Sequence, residues 1–125
     1  MFESATAHAT IAVTDIDRAK KFYGEILGFK TLEERSDGAT YEAGGGSWFL
    51  VYPSQFAGTN KATTMTFEVQ DLDAAVKEFR ERGIVFEEYD FPGLKTVDGI
   101  AEIQGERGAW FKDPDGNILA VGQRT

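Results

Sequence analysis

The chain is read as an α+β protein built from two βαβββ modules, and three observations predict this. Val13 to Ala19 (VTDIDRA) returns 56 residues later as Val69 to Ala75 (VQDLDAA), close to half of the 125-residue chain. Each copy of that phrase follows a stretch alternating at period two and opens a stretch with apolar residues three and four apart, the marks of a strand and an amphipathic helix. Each is then followed by short strand-like runs separated by turn residues. A repeat of this period in so short a chain implies two similar units, neither of which buries its apolar face alone. One domain spanning 1–125 is expected, with modules at about 5–53 and 62–123.

Element by element, His8 to Val13 alternates larger aliphatic side chains at 11 and 13 with small or polar ones at 8, 10 and 12. Asp15 stands where a helix N-cap accepts a backbone N–H, and Asp17 adds charge where the helix dipole favours it. Ile16, Ala19, Phe22, Tyr23 and Ile26 then form one stripe, and Gly28 supplies the stop, giving a helix near 16–27. The second half repeats this: Thr64 to Val69 alternates, Asp71 caps, Leu72, Ala75, Val76 and Phe79 make the stripe, and Gly83 ends a helix near 72–82. Later strands are expected near 30–34, 40–43 and 48–52, and near 85–88, 100–103, 109–112 and 118–123. The glycines at 44–46 sit between two strand candidates and lack the Lys-Ser/Thr and helix that a phosphate loop requires, so they form a turn. Asp113 to Asn117 (DPDGN) lacks the glutamate of a calcium loop at its twelfth position, which is Arg124, and is likewise a tight turn. The segments 53–62 and 90–99 are the longer loops.

Composition removes several classes of function. With no cysteine there is no disulfide framework, thiolate nucleophile or thiolate metal ligand. A net charge of −8 with scattered Lys and Arg speaks against nucleic acid as a partner. No apolar run has the length of a membrane span, and the first residues lack the basic and apolar segments of a signal peptide, so cytoplasmic residence is the expectation. The ten Phe, four Tyr and two Trp fit a globular core.

Val13 to Tyr23 with Leu27-Gly28-Phe29, the second Val69 to Ala75, and the closing Phe111 to Asn117 (FKDPDGN) resemble the vicinal oxygen chelate superfamily. That superfamily comprises glyoxalase I, extradiol dioxygenases, methylmalonyl-CoA epimerase and bleomycin-resistance proteins. The resemblance covers nearly the whole chain and implies the glyoxalase/bleomycin-resistance fold, in which the two modules form a curved mixed sheet cup. In the metal enzymes of the family, ligands come from the first and last strand of each module. Laid along this sequence by its motifs, those positions are His8, Leu50, Thr64 and Ala120. Leucine and alanine carry no donor atom, His8 is the chain's one histidine, and the repeat independently matches it to Thr64. The implied site is therefore depleted: no metal and no cofactor is expected, no carboxylate stands where the family's proton-abstracting base would be, and no catalytic residue can be assigned.

What remains is a cup face. Strand parity groups Thr10 and Ala12 with His8, Trp48 and Tyr52 with Leu50, Thr66 with Thr64, and Ile118 with Ala120; Trp110 is left open between core and ligand contact. Ile11, Val13, Phe49, Val51, Met65, Phe67, Leu119 and Val121 have the opposite parity and are expected against the helices. A concave surface of small residues, aromatics and a few hydroxyls suits a small organic molecule, with His8, Thr10, Trp48, Leu50, Tyr52, Thr64, Thr66, Trp110 and Ala120 as the candidate contacts. Two alternatives stay open: a divergent glyoxalase- or dioxygenase-type enzyme that recruits Glu33, Glu42 or Glu102 beside His8, and a non-catalytic subunit or regulatory module. The resemblance also implies pairing of two copies, and exposed sheet edges give a second copy something to cover. Light scattering at micromolar concentration is expected to return the mass of a dimer, and a monomer mass would remove that expectation.

Overall fold

The computed structural model describes residues 2–124. The chain divides between Gly58 and Thr59 into two compact units, residues 1–58 and 59–125, and each carries one four-stranded sheet with one main helix.

In the first unit β1 (Thr10–Val13) is followed by α1 (Ile16–Lys20), β2 (Lys30–Arg35), β3 (Gly38–Glu42) and β4 (Trp48–Pro53). The spatial order is β1-β4-β3-β2, with β1 parallel to β4 and the other pairs antiparallel. The strand following α1 thus lies at the far edge from β1, and the helix crosses the sheet to reach it. Asp15 caps the helix, its Oδ1 accepting from the N–H groups of Asp17 and Arg18 at 3.0 and 3.1 Å. The helix expected to run to 27 departs from α geometry after Lys20: Lys21–Ile26 is π-wound, and the Leu27 N–H reaches back to the Phe22 carbonyl at 2.8 Å. Phe22 and Tyr23, neighbours in sequence, are both buried in that segment. Tyr23 lies 5.6 Å from the Phe49 ring and 6.1 Å from the Tyr41 ring, which identifies the helix-covered face of the sheet. Cross-strand pairing adds Ile11, Val51 and Ala39 to the same face.

The second unit repeats this plan. Its strands β5 (Thr63–Glu68), β8 (Ala101–Ile103), β9 (Glu106–Lys112) and β10 (Ile118–Gln123) stand in the order β5-β10-β9-β8, with β5 parallel to β10. The helix α2 (Leu72–Glu81) is capped by Asp71, the repeat partner of Asp15, and the Gln123 side chain accepts the Leu72 N–H at 2.7 Å. Thr10 pairs with Leu50 in the first sheet, and Thr66, its repeat partner, pairs with Ala120 in the second. The repeat is therefore preserved in strand register as well as in element order. Leu72, Val76, Leu119, Val121, Ala109 and Phe111 form the buried side, with Phe79 edge-on to Phe111 at 5.6 Å. Replacing a side chain as enclosed as Phe111 by alanine costs about 3–5 kcal/mol. Ile11 is fully buried and Phe67 half-buried, as parity requires.

The sequence reading and the structure differ in the second unit between 84 and 100. The strand expected at 85–88 is reduced to one bridge, Phe86 to Phe111, extended by the Glu87 N–H donating to the Trp110 carbonyl at 2.7 Å. The reason is competition for one edge: β8 occupies Glu106 to Gly108 of β9, leaving Trp110 and Phe111 for the 86–87 segment. The stretch read as a long loop contains a small hairpin, β6 (Asp90–Phe91) with β7 (Leu94–Lys95), and a second reversal at Asp98-Gly99. Asp98 has φ of 54° and Gly99 of 83°, the pair of left-handed residues that a type I′ turn needs. At Gly99 a Cβ would stand 2.9 Å from the Arg80 guanidinium and 3.1 Å from Phe86, so glycine is required there. The turn at 113–117 is as expected. The buried Asp113 carboxylate accepts from the N–H groups of Asp115 and Asn117, each at 2.9 Å, and from the Asn117 amide at 2.8 Å.

Arg107 of β9 grips Asp73 in the first turn of α2 with two parallel bonds of 2.9 and 3.0 Å. Its hydrogen bonds, and secondarily its charge, hold the Asp73 carboxyl below the ordinary aspartate value of 3.8. A depressed carboxylate contributes stability that is present above its unfolded value and lost as pH falls through the folded one. Asp73→Asn is therefore expected to shrink the loss of stability that accompanies acidification below about pH 4, read as the denaturant midpoint against pH. An unchanged profile would remove Asp73 from the acid transition.

Candidate functional site

Each helix covers one face of its sheet and leaves the other face open, and the open faces carry the residues that parity selected. In the first unit, Thr10, Leu50 and Thr40 form one cross-strand row, Ala12 and Tyr52 a second, and Trp48 with Glu42 a third. Trp48 and Tyr52 are each 36 % exposed. His8 stacks on Trp48 with ring centroids 3.5 Å apart and planes 22° from parallel. Both of its ring nitrogens are engaged: Nδ1 lies 3.0 Å from the Trp48 carbonyl and Nε2 lies 3.0 Å from the Thr6 hydroxyl. A carbonyl only accepts, so Nδ1 carries a proton, and in the neutral ring Nε2 receives the hydroxyl's. Of the carboxylates proposed to join His8, Glu33 and Glu42 share this face. Glu33 approaches Arg35 at 3.5 Å and Glu42 approaches Lys30 at 4.0 Å. Glu102 pairs across the strands with Arg107, whose side chain reaches α2, and so belongs to the covered side of the second sheet.

The second unit carries a concavity on the same side of its sheet. A groove of about 420 Å³ lies on its open face, lined by Thr63, Thr66, Ala101, Ile103, Trp110, Ala120 and the backbone at Gly108 and Gly122. Its floor is flat because small residues meet there in register: Ala101 opposite Gly108, and Gly108 opposite Gly122. Trp110 is held on three sides. Its indole N–H donates to the Thr63 hydroxyl at 3.2 Å, the Tyr89 ring meets it edge-on at 5.7 Å, and its six-membered ring passes over Gly108, where a Cβ would lie only 3.3 Å away. Gln104 and Glu106 add an amide and a carboxylate to the lining. Arg107 also borders the groove, but its guanidinium is committed to Asp73.

Of the residues selected from sequence, the groove brings together Thr66, Trp110 and Ala120, the last almost fully buried in its floor. His8, Thr10, Trp48, Leu50 and Tyr52 belong to the first unit. Thr64 does not line the groove; its neighbour Thr63 does. A β-bulge explains the exchange, since Thr63 pairs with Ile118 and Met65 with Leu119, leaving Thr64 as the extra residue, and its hydroxyl is buried without a hydrogen-bond partner. Among the described residues no group of three His, Asp or Glu side chains is placed to hold a metal ion. Sequence reasoning missed Tyr89, Gln104 and Glu106. A Gln-Gly pair between two strand candidates was the available signal for Gln104; nothing local marks Tyr89, whose role comes from the docking of 86–87 on β9.

Gln104 is held at φ of 51° in the turn between β8 and β9, a conformation that asparagine or glycine adopts at lower cost. Gln104→Asn is expected to raise stability by about 0.5–1 kcal/mol, measured as the urea midpoint at constant m-value.

The model of the Glyoxalase/Bleomycin resistance protein/Dioxygenase superfamily matches residues 5–121. Solved structures share the architecture. A glyoxalase family protein from Enterococcus faecalis is 24 % identical with a TM-score of 0.72, over 98 % of this chain and 99 % of that one. A glyoxalase/bleomycin resistance protein from Catenulispora acidiphila is 26 % identical with a TM-score of 0.69, over 98 % of this chain and 100 % of that one. TnmS3, an antibiotic binding protein from Streptomyces sp. CB03234, is 22 % identical with a TM-score of 0.68, over 97 % and 98 %. No curated protein matches the chain in sequence.

Proposed function

The chain belongs to the glyoxalase/bleomycin resistance protein/dioxygenase superfamily, and from that premise we propose that it binds a small organic molecule without a metal, using Trp110 as the platform. The observation that carries this reading is the groove on the open face of the second sheet. Its volume of about 420 Å³ falls in the range of small-molecule sites, and its lining combines an apolar floor with a few polar groups. Trp110 is fixed by Thr63, Tyr89 and Gly108, so little side-chain freedom is lost when a ring settles on it. The flat floor of alanine and glycine favours a planar ligand over a branched one.

The superfamily's metal does not fit the residues present. At the four positions that the family resemblance implies, Leu50 and Ala120 offer no donor, Thr64 offers a neutral hydroxyl, and His8 has both nitrogens engaged by Trp48 and Thr6. Divalent ions of this family's chemistry need three or four imidazole or carboxylate donors converging on one point. Proton abstraction through a metal-bound substrate therefore has no support here. The fold that the chain shares with an antibiotic binding protein supports this reading.

A thermal-shift screen of planar heteroaromatic compounds is expected to find ligands that stabilise the protein, by about 2.7 kcal/mol at hundredfold excess over Kd. Trp110→Ala is expected to abolish that shift while Trp48→Ala preserves it. Stoichiometric metal in the purified protein, with a melting temperature that falls in chelator, would replace this reading with the enzyme alternative.

A further inference from the structure

The wall of the groove depends on a segment remote from it in sequence. Tyr89, which meets Trp110 edge-on, begins the arm that carries the β6–β7 hairpin, and Phe91 in that hairpin meets Tyr89 in turn at 5.9 Å. The hairpin itself has only two paired positions, Asp90 with Lys95 and Phe91 with Leu94, too few to hold its own place. Its base is closed by one side chain. The Glu88 carboxylate accepts the Thr96 hydroxyl proton at 2.5 Å and the Gly99 N–H at 2.9 Å through the same oxygen. With its proton committed to the carboxylate, the Thr96 hydroxyl accepts the Tyr89 N–H at 2.8 Å, while the Thr96 N–H donates to the Tyr89 carbonyl at 2.9 Å. Thr96 is buried although it is a threonine in a connecting segment. On the far side, Arg80 of α2 donates to the Asp98 carbonyl at 2.7 Å and fixes the turn that presents the Gly99 N–H. A chain of directed contacts thus runs from α2 through Asp98-Gly99, Glu88 and Thr96 to Tyr89 and Trp110.

We propose that Glu88 is a positioning residue for the groove: its carboxylate orients Thr96, Thr96 fixes the backbone of Tyr89, and Tyr89 sets the plane of Trp110 on which a ligand rests. This deepens the reading of the groove as a binding site and rests on it. Glu88 does not line the groove and acts on it through Thr96. The same bonds, first that from Thr96 and then that from Gly99, hold its carboxyl below the ordinary glutamate value, so it is ionised and a strong acceptor at neutral pH.

The test uses the full chain in a Trp48→Phe background, so that the indole signal comes from Trp110 alone. Near-UV circular dichroism of the free protein reads the fixation of Trp110, and titration with the neutral fluorescent probe N-phenyl-1-naphthylamine reads the groove. Glu88→Ala and Thr96→Val are expected to lose most of the indole band and to bind the probe about tenfold more weakly, the scale of one charge-assisted hydrogen bond. Glu88→Gln keeps an acceptor oxygen, Thr96→Ser keeps the hydroxyl, and both are expected to restore the band. An unchanged indole band in Glu88→Ala overturns the proposal, as does Glu88→Gln behaving like Glu88→Ala. If Glu88→Ala fails to fold, the contrast between Thr96→Val and Thr96→Ser decides on the same criterion. If the parent protein does not bind the probe, the binding reading fails, and the indole band by itself still decides whether Glu88 positions Trp110.

Discussion

In each four-stranded sheet the first strand in sequence lies parallel to the last, and this pairing governs what the sheet can do. A parallel neighbour cannot be reached by a tight turn, so the chain leaves β1 or β5 through a helix that crosses the sheet before the next strand begins. One helix covers one face. The side chains of Ile11, Val51, Phe49 and Tyr41 in the first unit, and of Leu119, Val121, Ala109 and Phe111 in the second, are buried there. The opposite face has no second layer within its unit, and apart from Gly38, Ala101 and Ala120 the small, polar and aromatic residues of the alternate parity are exposed or half-buried. The bare face is thus a consequence of topology before it is a property of any residue.

The two units fill the same plan differently. In the first, the open face carries the large exposed rings of Trp48 and Tyr52, and its histidine is used locally: stacked on Trp48 and bonded at both nitrogens, it fixes a strand end against an aromatic ring. In the second, glycine and alanine meet in register, so the face sinks into a floor, and Trp110 is laid across part of it. Depth arises from what is missing at Gly108, Gly122 and Ala101.

Charge organises the periphery more than the groove. The Arg107 to Asp73 grip ties α2 to β9 on the covered side, and Arg80 ties the same helix to the turn at Asp98. These contacts are exposed and individually modest, but they act where the second unit has fewest regular hydrogen bonds. The segment from 84 to 100 has only the two-residue strands β6 and β7, and side-chain bonds from Glu88 and Thr96 hold it where a longer ladder is absent.

The α+β class, both helix caps, and the covered and open faces of β1, β4, β10 and the Met65–Phe67 part of β5 follow from the sequence alone, because period-two and period-3.6 patterns report burial directly. The repeat of Val13 to Ala19 at Val69 to Ala75 set strand equivalence well enough that Thr10 with Leu50 and Thr66 with Ala120 occupy matching registers. Three features were decided only by tertiary structure. The π-wound segment after Lys20 departs from the α-helical winding its apolar stripe suggests, although Phe22 and Tyr23 are buried as that stripe predicts. The bulge that puts Thr63 rather than Thr64 beside Trp110 depends on how β5 is paired to β10. The reduction of the 85–88 strand to a bridge depends on β8 having already taken part of the edge of β9. Each is a competition between segments distant in the chain for one surface, and a local pattern of residue types carries no information about which competitor wins.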